Sequence, residues 1–260
     1  MSYATLIYEK KGQVANITFN RPEIHNAFNS TAIREMSACL TEIDKSNEFR
    51  VVILTGAGKS FCAGADMHWM KDVVEQPYEK NLSESNELSE LFDQIYSFRL
   101  PFIGKINGAA VGGGTGFVAV CDIAIAVRSA TFSFSEVKIG LVPACIGPYV
   151  IKKMGEGKAR ELFITGERMT AERACEVGLI NKVVDDDQLH NAVDELVESL
   201  LSSGPNAVSN AKKLISALPL MTKEEYKPYT AKLIADLRKS EEGQEGMNAF
   251  LNKRKPKWSP

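Results

Sequence analysis

Apolar and polar side chains roughly alternate over residues 3–9 and 13–19, on either side of Lys10-Lys11-Gly12, which predicts two strands joined as a hairpin. Asn20-Arg21-Pro22 ends that pattern. Ile33, Met36, Leu40 and Ile43 then recur at spacings of three and four. Residues 30–46 therefore read as a helix with one apolar face, capped by Asn29 or Ser30. Residues 50–55 (RVVILT) suit a short buried strand, followed by a glycine-rich loop over 56–66 (GAGKSFCAGAD). Leu88, Leu91, Phe92 and Ile95 mark a helix over 81–98, stopped by Pro101. Residues 102–106 form a strand leading into a second glycine-rich loop, 107–116 (NGAAVGGGTG). A helix over 115–120 and strands over 121–127 and 131–134 come next.

From about residue 156 helical periodicity dominates: 156–165, 171–177 closed by Gly178, 187–203, 205–216 opened by Pro205, 223–239, and a last short helix with a basic tail. The expectation is a mixed strand–helix core followed by a helical C-terminal region, with no repeat of fixed period. A compact chain of this mass exposes roughly 11,000 Å² and buries about 73% of its unfolded surface, so an ordinary core suffices without staples.

Composition narrows the partners. Thirty-one basic against 33 acidic residues leave a net charge of −2, no excess for neutralising a nucleic-acid backbone. Cys39, Cys62, Cys121, Cys145 and Cys175 are scattered and form no Cys-x-x-Cys, which is reduced usage rather than a disulfide framework or zinc site. The N-terminus lacks a signal or transit layout, and no apolar run approaches the roughly 18 residues of a membrane span. A soluble cytoplasmic protein is expected, with neither nucleic acid nor membrane as partner.

Several tempting motifs read better as ordinary structure. Thr55–Ser60 (TGAGKS) suggests a phosphate loop, but Ile53 stands where its first glycine belongs, and a turn leaving a strand accounts for it. Gly114-x-Gly116-x-x-Ala119 suggests a dinucleotide fingerprint, yet residues 107–113 separate it from its strand. No Gly-x-Ser-x-Gly exists, His190 lies in a charged helix, and Asp185-Asp186-Asp187 suits a solvated helix entry. The sharper signal is the two glycine-rich loops, offering Ala63-Gly64-Ala65-Asp66 and Gly112-Gly113-Gly114 ahead of a helix. Main-chain N–H groups at such a start lack intrahelical partners, and two converging on one point make an oxyanion hole. Tight turns also call for glycine, so this pattern by itself leaves both readings open.

FCAGAD (61–66), IGKINGAAVGGGTG (103–116), CDIAIA (121–126) and FSEVKIGLVP (134–143), in this order and spacing, resemble the enoyl-CoA hydratase/isomerase, or crotonase, family. ITFNRPEIHNAF (17–28), residues 161–184 and AFLNKRKPKW (249–258) extend the likeness over nearly the whole chain. The resemblance implies an α/β fold: a spiral of strand–strand–helix units over 1–195 carrying the CoA and acyl site, then a helical region over 196–260 for trimerisation. It implies an acyl-CoA thioester substrate, with CoA part of the substrate and no separate cofactor or metal, and a homotrimer or dimer of trimers.

Carried onto this sequence, the family's oxyanion donors match the N–H groups of Ala65 and Gly113, and its second acid/base carboxylate matches Glu136. The first carboxylate falls on Gly116, which has no side chain. Two carboxylates can divide a water's proton and hydroxyl between them; one suits a proton shuttle between carbons, as in the family's isomerases. The wording around Glu136 is closest to methylglutaconyl-CoA hydratase-like members. Three readings follow: a hydratase, with Gly116 vacating room for a branched or dicarboxylic substrate; a double-bond isomerase; a weakly active CoA-binding homologue. Lys138 would face Glu136's side if the strand continued, though a surface lysine is its plainer reading. Tyr78, Glu84 and Glu87 lie in the segment bordering the pocket. For CoA itself the resemblance points to Ala63 at the adenine, Glu23-Ile24-His25 and Lys59 near the phosphates, and Phe250 and Lys253 reaching in from a neighbouring subunit. Gly64 and Gly112 line the site, and Asp66 holds its loop by local hydrogen bonds.

Overall fold

The structure is a computed structural model describing residues 3–259. The hairpin forms as β1 (Leu6–Lys11) and β2 (Val14–Phe19), antiparallel. It begins three residues later than the alternation suggests, because Ala4 and Thr5 donate their amides to Glu35, both at 2.8 Å. Glu35 lies in α1 (Ser30–Lys45), whose cap Asn29 accepts from the Ala32 amide at 3.0 Å.

The rest of the core is built from pairs of strands. β3 (Val51–Gly56), β5 (Phe102–Ile106) and β7 (Ile123–Val127) run parallel beside the hairpin and, with β10 (Lys182–Val184), complete a six-stranded sheet ordered β1-β2-β3-β5-β7-β10. Each of those three is followed by a three-residue strand: β4 (Ser60–Cys62), β6 (Ala109–Val111) and β8 (Thr131–Ser133). With β9 (Arg168–Thr170) these make a second sheet, β4-β6-β8-β9. Both glycine-rich segments therefore contain a strand, too short to show an alternation. After β4 come α2 (Met67–Glu75) and α3 (Tyr78–Tyr96); α4 (Gly113–Val120) follows β6, and α5 (Gly147–Met154) follows β8. This is a recurring strand–strand–helix unit without a sequence repeat, since each turn meets different neighbours.

Three expectations change. α2 and α5 appear where no helix was read; α2 buries none of its residues, and α5 opens on Gly147-Pro148. α3 starts just after Pro77, three residues before the expected start, and ends at Tyr96. β9 and β10 lie inside the stretch read as helical, beside α6 (Glu156–Thr165) and α7 (Ala171–Glu176). The division at 195/196 falls within α8 (Leu189–Leu201), an unbroken helix packed on β3, β5 and β7.

The core is continuous, and its aromatic centre sits around α4: Phe117 contacts Phe92, Phe19 and Phe28 at centroid distances of 4.9, 5.1 and 5.5 Å. Beyond it run α9 (Pro205–Ala217), α10 (Lys223–Lys239) and α11 (Glu241–Leu251). No residue of α9 or α10 is buried. The surface of 13809 Å² is about a fifth above that of a compact monomer of this mass. Among the described residues no helix is long and apolar enough to cross a membrane.

Candidate active site

The segment after β2 clips the first glycine-rich loop into place. The Asn26 side-chain amide donates to the Ala57 and Ser60 carbonyls, both at 2.8 Å. Ala63 N–H donates to His25 O, Phe28 N–H to Gly64 O and Asp66 N–H to Phe28 O. His25 and Asn26 adopt left-handed φ values of 55° and 59° to make this turn. Asp66 closes the clip. It accepts from the His68 amide at 2.8 Å, capping α2, and from Arg21 Nη2 at 2.6 Å. Burial works to raise the Asp66 pKa, but the His68 amide and the Arg21 guanidinium outweigh it, so the carboxyl lies below its ordinary range. Arg21, which the motif reading passed over, is the counter-ion of Asp66.

β8 positions the second loop and the carboxylate together. Ser133 O accepts from the Gly112 amide (2.8 Å) and from the buried Thr115 hydroxyl (3.0 Å), pinning the first turn of α4. Glu136 follows three residues later, in a 3₁₀ turn over Ser135–Ile139. Gly112, at φ 53°, is where loop and carboxylate meet: a Cβ there would lie 3.2 Å from Glu136 Oε1. A Cβ on Gly114 would collide with the Cys62 carbonyl, so α4 can lie this close to β4 only with glycine there.

The two glycine loops touch. A Cβ on Gly64 would stand 2.7 Å from Val111 O and 3.9 Å from Gly113 N. Neither the Ala65 N–H nor the Gly113 N–H donates to any described residue. Gly113 is the first residue of α4, where an amide has no intrahelical acceptor and carries the positive end of the helix dipole. Two free amides on adjoining loops can both donate to one negatively charged oxygen.

Glu136 is the carboxylate beside them. Its Oε2 is buried without a hydrogen-bond partner among the described residues, and burial raises its pKa above the ordinary carboxylate value. A carboxyl whose pKa is raised by burial holds a proton more readily than a solvated one and can take it up and return it. Nearby thiol chemistry is disfavoured, since burial pushes Cys62 up to about 12.

Two expectations about this region are corrected. Gly116 vacates no room: a Cβ there would collide with Ile146 Cγ2 and lie 3.1 Å from Phe92 Cζ. The space a side chain would occupy is filled by apolar core, so no carboxylate fits on that turn of α4. Gly116→Ala is expected to cost about 1–3 kcal/mol through overpacking. Urea unfolding of that variant, alone and with Ile146→Ala, checks this, since the second change should recover most of the loss. Lys138 does not share Glu136's side through a continuing strand, because the strand ends at Ser133 and Lys138 is exposed, its Cε near Gly166.

The remaining residues divide. Glu84 accepts from Trp69 Nε1 at 2.9 Å, and Trp69 packs on Phe28, whose ring would meet a Cβ on Gly113 at 2.7 Å; this edge of α3 does reach the site's surroundings. Glu87 lies 3.8 Å from Arg34, and Tyr78 is exposed. Lys59 and Glu23 are exposed and Ile24 half-buried near the first loop. Phe250 and Lys253 are exposed at the end of α11, and no hydrogen bond, ion pair or ring contact among the described residues joins them to the glycine loops. Phe28, Trp69, Ile146, Thr115 and Ser133 shape the site but carry no sequence signal separable from core packing.

A two-sheet spiral with two free amides near one half-buried carboxyl is an arrangement able to stabilise an oxyanion while moving a proton. The sequence profile of the enoyl-CoA hydratase/isomerase family matches residues 9–260, and the chain belongs to that family. A short-chain-enoyl-CoA hydratase of Clostridium acetobutylicum is 34% identical over 261 residues, covering 98% of this chain and 97% of the relative. The crystal structure of an enoyl-CoA hydratase from Shewanella pealeana superposes with a TM-score of 0.94 at 39% identity, over 98% of this chain and 96% of that one. An enoyl-CoA hydratase/isomerase from Marinobacter aquaeolei gives 0.94 at 31% identity, over 98% and 99%. The α/β crotonase-type spiral is thereby shown.

Proposed function

We propose that the protein adds water across the 2,3 double bond of an enoyl-CoA thioester, with Glu136 as its acid/base side chain. The observation carrying this reading is the buried, unpartnered Oε2 of Glu136, on a carboxyl that lies against Gly112 beside the free Gly113 amide. The thioester oxygen binds between the Ala65 and Gly113 N–H groups. Water adds through its oxygen to C3 and yields a proton to Glu136, while the electron pair of the double bond moves onto the thioester oxygen as an enolate. Glu136 then returns the proton to C2. CoA arrives as part of the substrate, so the reaction calls for no separate cofactor.

Relatives named as hydratases support water addition, and the branched, methylglutaconyl-type acyl group rests on the sequence around Glu136 alone. Because apolar core fills the place beside Gly116, the water is held by a group outside α4, for which the substrate's own carboxylate is suited. The lone carboxyl also favours a second reading, a double-bond isomerase, in which Glu136 carries a proton between two carbons of one substrate. Ala63, Ile24 and Lys59 serve the nucleotide end of CoA, joined by Phe250 and Lys253 of a neighbouring copy. The unburied faces of α9 and α10 and the excess surface support a homotrimer or dimer of trimers, and the reduced cysteines support a cytoplasmic setting.

Incubation with crotonyl-CoA, 3-methylglutaconyl-CoA and a 3-enoyl-CoA separates these readings. Loss of the conjugated thioester absorbance with the methylglutaconyl substrate above crotonyl-CoA is the expected result. Appearance of that absorbance from the 3-enoyl-CoA alone establishes the isomerase instead, and binding without either change leaves only a CoA-binding protein.

A further inference from the structure

α2 follows directly on the first glycine loop and buries none of its residues. Met67 and Val74 on it are 75% and 85% exposed. A helix of nine residues is too short to be stable by itself, so contacts from outside must fix it beside the Ala65 amide.

Trp69 makes such a contact. It is the third residue of α2, four after Ala65, and half-buried. Its ring packs on that of Phe28 at a centroid distance of 5.9 Å. Phe28 in turn meets both halves of the oxyanion site. Its main chain bridges to Ala65, donating to Gly64 O and accepting from the Asp66 N–H. Its ring is what a Cβ on Gly113 would meet at 2.7 Å. Trp69 and Phe28 therefore form one wall beside the two free amides.

The indole is held from α3. Trp69 Nε1 donates to Glu84 Oε2 at 2.9 Å, and Asn81 Nδ2, one turn earlier on α3, donates to Val73 O at 3.1 Å. Glu84 lies four residues before Leu88 and eight before Phe92, on the face of α3 turned to the core. A carboxylate there is costly unless a donor meets it, and a half-buried indole N–H calls for an acceptor. The two groups satisfy each other and tie α2 to α3.

We propose that Glu84 is a positioning residue for the reaction: by fixing the Trp69 indole it holds α2 and Phe28 against the Ala65 and Gly113 amides, so that both aim at one oxygen. This rests on the reading that those amides bind the thioester oxygen. Glu84 acts through Trp69 and transfers no proton.

The test compares variants of the full chain on whichever enoyl thioester the wild type turns over. Glu84→Leu and Trp69→Phe each delete the hydrogen bond while keeping a side chain of similar bulk. Each should lower kcat by about 10- to 100-fold with KM little changed, the range in which a displacement of about 1 Å acts. Combined, they should cost no more than either alone, since both remove one interaction. Glu84→Gln keeps an acceptor for the indole and should hold kcat near the wild-type value. Trp69 and Trp258 are the two tryptophans, so in a Trp258→Phe background Trp69 emission reports the tie directly. Glu84→Leu should shift that emission to the red, and Glu84→Gln should not. Wild-type kcat in both Glu84→Leu and Trp69→Phe overturns the proposal, as does unshifted emission in Glu84→Leu. Glu84→Gln as impaired as Glu84→Leu also overturns it, because the charge and not the tie would then matter. Ala65→Pro tests the underlying reading separately: full turnover there removes that reading, whereas a fall there beside full turnover in Glu84→Leu removes the positioning role alone.

Discussion

Glu136→Gln is expected to lower kcat by about 10²–10⁴-fold, the usual contribution of a positioned acid/base group. Gln keeps the shape and a polar head against Gly112 but cannot take the proton that water must release. Because the loss is in proton transfer, acyl-CoA affinity should change little, and steady-state kinetics with calorimetric binding separate the two. The same variant should be more stable than wild type near neutrality. Burial raises the Glu136 pKa above its ordinary 4.5, so the folded chain keeps a proton that the unfolded chain has already released. Wild-type stability therefore falls as pH rises from 4.5 to the folded value, then levels off. Gln does not titrate, so its advantage should be small below 4.5, grow through that window and persist at neutral pH. Urea unfolding of both proteins across the window measures this. An acid limb of kcat/KM lying above 4.5 is the matching kinetic expectation.

Ala65→Pro should lower kcat by about 10²–10³-fold, the effect of removing one oxyanion-hole donor. Alanine to glycine or valine would leave the main-chain N–H in place, whereas proline deletes it. The position suits the experiment because the Ala65 amide bonds to no described residue, so no structural hydrogen bond is lost with it. Ala65 already carries a Cβ, unlike Gly113, where a Cβ would press on Phe28 at 2.7 Å. Neighbouring amides of the bridge, Phe28 to Gly64 and Asp66 to Phe28, are retained. Turnover at saturating substrate, with near-native circular dichroism, reads out the loss. Unchanged turnover would remove the Ala65 amide from the reaction.

The site was partly legible in the chain. The paired glycine loops stand out because backbones that approach closely need glycine there, and that need leaves a local imprint, whereas Glu136 is marked out only by its place in the family's motif. Arg21 left none: its partner Asp66 lies 45 positions away, and only the return of the loop past β2 brings them to 2.6 Å. Gly116 shows the opposite failure. An absent side chain reads as empty space in a sequence, yet Ile146 and Phe92 converge from distant segments to fill it. The three-residue strands β4 and β6 were likewise invisible, because a period of two cannot be read over so few residues, and their pairing with each other comes from neighbouring turns of the spiral.

The amino-acid sequence by itself determined the helices with long apolar faces, most strands of the larger sheet and the two glycine loops. Each depends on residues near one another in the chain, where propensity and periodicity act. The tertiary structure alone decided that the Ala65 and Gly113 amides stay free on touching loops and that Glu136 Oε2 is buried without a partner among the described residues. Those properties depend on which groups are excluded from water and from one another's hydrogen bonds, and such exclusion exists only once distant segments pack.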